Sequence, residues 1–260
     1  MTGPVAVTWW GHATTTIELG GVRVLTDPVL TRRIAHLLRI GGPLPDGAVL
    51  TADVAVISHL HHDHLHLPSL RLLDRSTRIV APVGTAGALR RSDPSLAVRV
   101  EEVDVGEVVE VGGVRLQAVP AHHEGKRSPV SRHEGPALGF LMSTAAVTVW
   151  FAGDTGLFDA LADIGPADVA VVPVGGWGPT LGETHLDPRQ AAEAVRRVGA
   201  ADAVPVHYGT FWPMGLREAW PRGIARHFSS PGNVFAEELA VACPDASAHV
   251  LLHGQTVTLG

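Results

Sequence analysis

Residues 58–64, which read SHLHHDH, bring several potential metal ligands together in one short stretch of chain. They follow residues 53–58 (DVAVIS), whose apolar pattern predicts a buried strand. Side chains two positions apart point the same way as a chain leaves a strand, so we predict that His59 and His61 bind one ion while Asp63 and His64 turn toward a second. Two ions about 3.5–4 Å apart can hold a bridging hydroxide and polarise the substrate oxygen that it attacks. The alternative is a solvated histidine-rich loop.

Three later segments supply further candidate ligands, and each follows a predicted strand. They are Pro120-Ala121-His122-His123, Gly153-Asp154-Thr155 and His207-Tyr208-Gly209. Cys243 is the only cysteine, so the site must use histidine and carboxylate ligands. A carboxylate can bridge two cations, and we predict this role for Asp154. The alternative is that Asp154 caps a following helix, although Thr155 could serve there instead.

The elements that must position these residues alternate between two patterns. Residues 5–26 read as a β-meander, and residues 53–91 read as strands alternating with short helices, the first of them over 67–75. The plan then repeats, with strands over 98–119 and two strands, 137–143 and 147–152, that can pair across a short turn. Strands 168–172 and 202–206 follow, together with helices over 157–164, 188–198 and 233–241 and a helical stretch after Met214. We predict an α/β fold in which two sheets pack face to face with helices outside. Residues 29–40 place apolar side chains on one helical face and predict an amphipathic helix that packs on the core, with a substrate lid or a membrane-touching helix as alternatives.

The composition indicates a globular protein. The chain has 260 residues, of which 45% are hydrophobic and 18% charged, and we predict one domain over residues 1–260. The formal net charge of −6 provides no basic field for nucleic acid. The sequence contains no apolar run long enough for a transmembrane helix and no secretory leader pattern, so we expect a cytoplasmic location. The oligomeric state is not readable from these features.

The order of these motifs resembles the metallo-β-lactamase superfamily, and the likeness extends over essentially the whole chain. The motifs are HxHxDH, Pro-Ala-x-His, Gly-Asp-Thr-Gly and His-Tyr-Gly-Thr-Phe. Thr26-Asp27-Pro28 and Thr184-His185-Leu186-Asp187-Pro188 resemble the branch that holds ascorbate-6-phosphate lactonase and N-acylphosphatidylethanolamine phospholipase D. Ribonuclease Z and glyoxalase II place a glycine soon after the motif's last histidine, where this chain has Leu65-His66-Leu67. The resemblance therefore disfavours those two activities.

The resemblance implies a four-layer αββα sandwich and a ligand set for two divalent ions. One ion would be held by His59, His61 and His123, the other by Asp63, His64 and His207, and Asp154 would bridge them. His123 rather than His122 matches the family's histidine in this segment. Zinc is the expected metal, with manganese or iron as alternatives.

His185 and Asp187 stand close in sequence but lead to different predictions. His185 lies between a glycine-rich segment and a helix start, and the resemblance places it beside the metals, where it could bind substrate or protonate a leaving group. The alternative is a partly buried structural histidine. Asp187 precedes Pro188 and has Gln190 three positions later, which predicts a structural helix cap.

Other residues are weaker candidates. Asp27 could orient a metal-bound histidine or simply form a turn before Pro28. The resemblance alone places His12 near the site. A loop after His123 carries basic residues that could meet an anionic substrate group or be merely solvated, and two tryptophans could line an apolar pocket or belong to the core. These are Lys126, Arg127, Arg132, Trp177 and Trp212.

These predictions combine into a metal-dependent hydrolase of a small-molecule substrate. A bridging hydroxide would cleave an ester-like bond, a phosphodiester or a lactone, with Asp63 as a ligand and proton acceptor and His185 as the acid. The alternative is an iron-dependent oxidoreductase on the same scaffold, although members with two irons usually carry a glutamate where this chain has His61. A third possibility is a metal-binding module without catalysis, which should lack some ligands.

Overall fold

The computed structural model describes residues 4–45, 47–176, 182–216 and 221–260, and it contains two large mixed sheets. The strands of the first sheet are β1 (Val5–Gly11), β2 (Thr14–Leu19), β3 (Val22–Thr26), β6 (Val54–Val56), β7 (Arg78–Pro82), β8 (Val100–Val103) and β17 (Gln255–Leu259). Their order is β17-β1-β2-β3-β6-β7-β8. The β17-β1-β2-β3 part is antiparallel, while β3, β6, β7 and β8 are parallel.

The second sheet repeats this plan. Its strands are β9 (Val108–Val111), β10 (Val114–Pro120), β11 (Leu138–Ser143), β12 (Thr148–Phe151), β13 (Val169–Pro173), β14 (Asp202–Val206) and β16 (Ser247–Ala248), in the order β16-β14-β13-β12-β11-β10-β9. Strands β9 to β12 are antiparallel neighbours, and β12, β13, β14 and β16 are parallel. The predicted pairing of residues 137–143 with 147–152 is confirmed by the β11–β12 ladder.

Helices cover the outer faces of both sheets. Within the described residues, the α-helices are α1 (Leu67–Leu70), α2 (Thr85–Leu89), α3 (Pro94–Ala97), α4 (Pro188–Val198), α5 (Pro221–Ile224) and α6 (Pro231–Ala242). In the same part of the chain, 3₁₀ helices span Gly47–Thr51 and Asp159–Asp163, and a π-helix spans Ala225–Ser229. Ile17 and Phe140 belong to a core that both sheets share. Val195 of α4 and Leu239 of α6 pack outside the second sheet, and Leu70 of α1 packs outside the first. The predicted four-layer αββα fold is confirmed.

Burial explains the regularity of the longest elements. Residues of β1 alternate between buried and half-buried positions, because one face lies in the shared core and the other is covered less completely. Asp187 caps the N-terminus of α4. Its carboxylate accepts a hydrogen bond from the Gln190 amide, while the Gln190 side chain accepts one from the Asp187 amide. Gly199, which adopts the left-handed conformation, caps the C-terminus. The structural prediction for Asp187 agrees with this geometry.

The helix predicted over residues 29–40 is wrong. This segment instead forms strands β4 (Arg33–Ile34) and β5 (Leu37–Arg39), and β5 pairs with β15 (Phe211–Pro213) in a small third sheet. The side chains of Ile34 and Leu37 are buried, as the apolar pattern predicted. The helical spacing of these residues was misleading, because they lie on strands. The helix expected after Met214 falls partly on residues 217–220, outside the described part of the chain.

Two shorter differences also concern local structure. The helices predicted over 67–75 and 157–164 are reduced to α1 and to the 3₁₀ helix Asp159–Asp163. Strand β17 has no counterpart among the predicted elements, and it completes the edge of the first sheet beside β1. Among the helices described, none combines the length and apolar character required to cross a membrane.

Candidate metal centre

The candidate ligands lie where strands of the two sheets end. In the first sheet β1, β3 and β6 run in the same direction, and His12, Asp27 and the 58–64 segment follow their carboxyl ends. In the second sheet β10, β12 and β14 also share a direction, and they lead into His123, Asp154 and His207. Strand direction therefore brings residues far apart in sequence to one edge.

One group of ligand atoms is formed by His59, His61 and His123. The His59 Nε2 and His61 Nδ1 atoms are 2.8 Å apart, and His123 Nε2 is 3.2 Å from the same His61 Nδ1. The His59 ring is fully buried, and the other two are partly buried. Three nitrogens this close, from two separate loops, form a set that could hold one ion.

A second group is formed by His12, Asp63, His64 and His207. The His64 Nε2 atom is 3.8 Å from Asp63 Oδ2, and the His12 and His207 rings lie 4.1 Å apart between centroids. His12 Nε2 is 3.2 Å from Asp63 Oδ2. This group therefore adds His12 to the residues predicted for the second ion, and it places that ring against the Asp63 carboxylate.

Asp154 lies between the two groups. Its Oδ2 is 3.3 Å from His64 Nε2, and its Oδ1 is 3.3 Å from His207 Nε2. Within the described residues, His64 Nε2, His207 Nε2 and Asp154 Oδ1 are buried and make no hydrogen bond. Leaving buried polar atoms unpaired is costly, whereas a shared cation would satisfy these three together. The donor set thus fits divalent metal ions. Asp154 does not cap a helix, because the next helix begins after Phe158.

Hydrogen bonds on the far side of several rings direct their Nε2 lone pairs inward. His123 Nδ1 is 2.9 Å from the Thr184 carbonyl oxygen, and His207 Nδ1 is 3.1 Å from the Gly175 carbonyl oxygen. A carbonyl only accepts, so each Nδ1 carries the proton and each Nε2 is left as a potential ligand. Such outer hydrogen bonds are typical of metal-binding histidines.

Asp27 and Ser58 position the rings of His59 and His64. The Asp27 carboxylate accepts hydrogen bonds from the Ser58 amide at 2.7 Å and from the Ser58 hydroxyl at 2.6 Å, and His64 Nδ1 lies 2.6 Å from it. Because the Ser58 hydroxyl donates its proton to Asp27, its oxygen can accept from His59 Nδ1 at 2.9 Å. The orienting role considered for Asp27 agrees with this geometry.

Burial and neighbouring charges prepare the histidines for metal binding. Burial lowers the pKa of His207 to about 3 and that of His61 to about 4, and it lowers the pKa of His59 well below its ordinary value. These rings are therefore neutral near pH 7. His64 differs, because Asp154, Asp27 and Asp63 outweigh the effect of burial and raise its pKa well above the ordinary value. A cation bound at His64 would replace its proton.

The carboxylates of this centre are held ionised. Burial alone would raise the pKa of Asp154, but the nearby His207 and His64 lower it well below its usual range. For Asp63, burial is likewise outweighed by the charge of His64 and by a hydrogen bond from His12, and the pKa falls well below its usual range. The centre therefore contains negative charge ready to compensate a cation.

Backbone strain is concentrated around the same residues. His12, Asp27 and His207 have positive φ values of 52°, 34° and 65°, in the region that non-glycine residues rarely adopt. The His12 amide donates to Thr210 Oγ1 at 2.7 Å, and the His12 carbonyl accepts from the His207 amide at 2.9 Å. These bonds hold both turns, and the strain agrees with a functional role for this edge.

The structure separates the adjacent histidines. His123 enters the first group, whereas His122 is exposed and uses its amide to donate to Thr155 Oγ1. His62 is exposed as well, beside Arg127. His185 Nε2 lies 3.6 Å from Asp154 Oδ2, and its ring centroid is 4.7 Å from that of His123. His185 therefore lies at the His123 end of the centre.

The structure shows where two residues of the basic loop and one of the two tryptophans lie. Arg127 donates hydrogen bonds to the Leu60 and Leu65 carbonyls at 2.8 and 3.3 Å, so its guanidinium secures the loop that carries the histidine motif. Lys126 Nζ lies 4.0 Å from Glu134 Oε2. Trp212 lines a pocket beside His207, and Trp177 lies outside the described residues.

Sequence reasoning missed the contacts that depend on distant backbone. Spacing did not indicate that Ser58 links Asp27 to two histidines, that Thr184 orients His123 through its carbonyl, or that Thr210 holds the His12 turn. The one available signal was the position of Ser58 immediately before the motif. Backbone carbonyls carry no sequence signature, so Thr184 could not have been found in this way.

A family model described as the beta-lactamase superfamily domain matches residues 22–208, more than half of the chain. The chain belongs to the metallo-β-lactamase superfamily. The resemblance inferred from the motifs is therefore confirmed at the level of the family.

Relatives of this metallo-β-lactamase superfamily chain include proteins with and without assigned activities. It is 32% identical over 222 residues to an uncharacterized protein of Mycobacterium tuberculosis, covering 80% of this chain and 59% of the relative. It is 30% identical over 241 residues to N-acyl-phosphatidylethanolamine-hydrolyzing phospholipase D 1 of Caenorhabditis elegans, covering 81% and 65%. It is 31% identical over 214 residues to a metal-dependent hydrolase of Carboxydothermus hydrogenoformans, covering 80% and 86%. The chain thus spans less than two thirds of the mycobacterial and nematode relatives.

Solved structures agree on the fold. A metallo hydrolase from Ignicoccus hospitalis superposes with a TM-score of 0.73 at 23% identity, covering 99% of each chain. A diiron β-hydroxylase from Streptomyces venezuelae superposes with a TM-score of 0.66 at 19% identity. The superposition covers the whole of this chain and 54% of the hydroxylase. At these identities, the likeness extends to the fold alone.

Proposed function

We propose that this chain is a metal-dependent hydrolase with a binuclear, zinc-type centre that cleaves an ester-like bond, a phosphodiester or a lactone. The position of Asp154 is the main observation that supports this proposal. One of its carboxylate oxygens lies 3.3 Å from His64 Nε2, and the other lies 3.3 Å from His207 Nε2. The group formed by His59, His61 and His123 is beside it. Relatives at 30–31% identity that are named as hydrolases support the same class of reaction.

The residues of the proposed site have different roles. His59, His61 and His123 would hold one ion, Asp63, His64 and His207 the other, and Asp154 would bridge them. When bound, the ions would supply a hydroxide nucleophile near neutral pH and positive charge for the substrate oxygen that it attacks. Asp63 would accept a proton when water is activated. Burial of these side chains excludes bulk water and strengthens their interactions.

His185 is the proposed acid for the leaving group. Its side chain is 19% exposed and lies 3.6 Å from Asp154 Oδ2, so it faces both the centre and the solvent-accessible side. An imidazole at this position reaches the centre and can pass a proton to a leaving group, which is the role of a general acid.

Metal analysis and a substrate panel test the hydrolase. We expect purified protein to contain about two divalent ions per chain and to hydrolyse bis(p-nitrophenyl) phosphate or an aliphatic lactone. Asp154→Ala and the more conservative Asp154→Asn should lose bound metal and turnover together. Asp163→Ala, which changes an exposed aspartate in the 3₁₀ helix Asp159–Asp163, is the matched control and should retain both. Metal-replete protein that is inert toward phosphodiesters, lactones and esters would contradict the proposal, and unchanged turnover in Asp154→Asn would contradict the bridge.

The iron-dependent oxidoreductase is not favoured by the site. His61 contributes its ring to a group made only of histidines, where the resemblance led us to expect a glutamate in members with two irons. The likeness to the hydroxylase from Streptomyces venezuelae concerns the fold alone. Freshly purified protein should accordingly lack the visible absorbance of an iron centre.

A further inference from the structure

An apolar cavity of about 160 Å³ lies against one end of the candidate metal centre. His12 and His207 contribute to its inner end, where the second group of ligand atoms is found. Its other walls include Phe211, Trp212, Leu216 and Phe228. His207 and part of the cavity wall come from one stretch of chain, because β15 follows His207 after only a short turn. The cavity is therefore adjacent to the place where the substrate bond would react.

The aromatic walls are held by contacts with one another and with residues outside the cavity. The Trp212 and Phe228 rings meet edge to face, with centroids 5.8 Å apart and planes at 88°. The Phe211 ring lies under the Arg39 guanidinium at 5.0 Å and approaches the His12 ring edge-on at 5.8 Å. Strand β15 is itself paired with β5. A cavity with walls fixed in this way is formed before a ligand arrives, which reduces the entropy lost on binding.

The chemistry of the walls selects an uncharged group. Among the described lining residues there is no lysine, arginine, aspartate or glutamate. A charged group entering this cavity would lose hydration without gaining a lysine, arginine, aspartate or glutamate as an ionic partner. The size also limits the occupant, since an apolar cavity of about 150 Å³ accommodates a benzene molecule. One aromatic ring, or an alkyl group of similar volume, matches the space.

We propose that this cavity binds an uncharged apolar substituent of the substrate, about the size of one aromatic ring, on the side of the centre formed by His12 and His207. The proposal rests on the proposed function, because it assumes that the reacting bond lies at the metal centre. The substrate would place its oxygen-rich group on the ions and its apolar substituent in the cavity. His185, near His123, would then lie toward the opposite end of the reacting group.

Two phosphonates of equal charge test the cavity on the metal-loaded protein. Phenylphosphonate and methylphosphonate present the same group to the ions, and they differ only in the substituent that would enter the cavity. We expect calorimetry to show about 10-fold or tighter binding of phenylphosphonate, because burying a ring adds favourable apolar transfer. Leu216→Asp, which puts a carboxylate at the cavity mouth, should reduce this preference to 2-fold or less. Leu252→Asp, at a surface leucine that is 76% exposed, is the matched control and should keep it.

The outcomes separate this proposal from the proposed function. Equal binding of the two phosphonates to the wild-type protein would overturn the cavity proposal and leave the hydrolase intact. If neither phosphonate binds, the metal centre has failed as a substrate site, and benzyl alcohol then tests the cavity by ligand-observed NMR on the metal-free protein. Benzyl alcohol that binds the wild type and Leu252→Asp but not Leu216→Asp supports the cavity. Binding that is absent from the wild type, or unchanged in Leu216→Asp, overturns it.

Discussion

Asp27 illustrates, at the scale of single residues, how the site depends on a side chain outside the proposed ligand set. Its buried carboxylate accepts from the amide and hydroxyl of Ser58 and lies 2.6 Å from His64 Nδ1. These contacts fix the orientation of His64, and through the Ser58 hydroxyl they also reach His59. One carboxylate thus orients one histidine from each group of ligand atoms.

We predict that Asp27→Asn weakens metal binding without unfolding the protein. An amide has one acceptor oxygen instead of two. If that oxygen takes the place of Oδ2, which serves the Ser58 hydroxyl and His64, the NH₂ group takes the place of Oδ1 and faces the Ser58 amide, which is also a donor. Asparagine tolerates the positive φ of 34° at this position, which limits the effect on the backbone. Metal affinity, measured by competition with a chromophoric chelator, should fall about 10–100-fold.

Asp187→Ala is the control for Asp27→Asn. It removes the cap of α4 and should cost about 1 kcal/mol of stability while metal affinity stays unchanged. Equal metal affinity in wild type and Asp27→Asn would contradict the orienting role of Asp27.

Residue types and spacing predicted the ligand candidates because their signal is local. The histidines and Asp63 in residues 58–64 lie next to each other in sequence, and Asp154 and His207 each directly follow a recognisable strand. The contact between His12 and Asp63 has no such signal. It requires β1 and β6 to end at the same edge of a sheet, which depends on the pairing of β1, β2, β3 and β6.

At the scale of elements, the hairpin of β4 and β5 shows why periodicity alone was misleading. Leu30, Ile34, Leu37 and Leu38 have helical spacing, yet Arg39 in the same segment is buried. Its guanidinium donates to the carbonyls of Trp10 at 3.0 Å, Pro43 at 3.3 Å and Val29 at 3.1 Å. Pairing with β15 and this central arginine favour a hairpin over a helix. Neither partner is close in sequence, so a short window could not detect them.

We predict that Arg39→Met destabilises the protein by about 2 kcal/mol. Methionine replaces the length of the arginine stem, but it leaves the three carbonyl oxygens without their donor. Relief of the burial that lowers the pKa of Arg39 to about 10 should offset only part of this loss. Urea denaturation followed by tryptophan fluorescence measures the change.

Arg33→Met is the matched control, because Arg33 belongs to the same hairpin and is exposed. Its free energy of unfolding should stay within about 0.5 kcal/mol of the wild type. Equal unfolding midpoints for Arg39→Met and Arg33→Met would show that the buried guanidinium does not hold the hairpin.

At the scale of the whole molecule, the sequence predicted the layers of sheets and helices better than it predicted which strands lie at the edges of the sheets. The repeated order of meander and β/α units was enough to predict two sheets with helices outside, because each sheet must bury an apolar face. Strand β17 lies far along the chain from β1, yet the two strands pair from Val5 with Leu259 to Trp9 with Gln255. Such a long-range ladder depends on the completed fold and leaves little trace in a local pattern.

The two sheets are joined both by their shared core and by the candidate ligands. Ile17 and Phe140 represent side chains from the two sheets that pack in one cluster. His59, His61, Asp63 and His64 follow the first sheet, while His123, Asp154 and His207 follow the second. Metal ions held by both sets would therefore stabilise the assembly of the two sheets, in addition to any part they play in a reaction.

We predict that the protein unfolds in one transition and that metal removal lowers its Tm by roughly 8–16 °C. Ions present at about 1,000 times their Kd contribute about 4 kcal/mol, and a chain of this size shifts by about 2–4 °C per kcal/mol. Circular dichroism and tryptophan fluorescence should give coincident melting curves before and after chelation, because neither half has a complete core alone.

His207→Gln should lose most of the chelator-dependent shift in Tm. His249→Gln should keep it, since His249 Nε2 contacts Asp202 Oδ1 rather than the centre. Two separate transitions would contradict the single domain, and an equal shift in both variants would contradict the place of His207 in the metal centre.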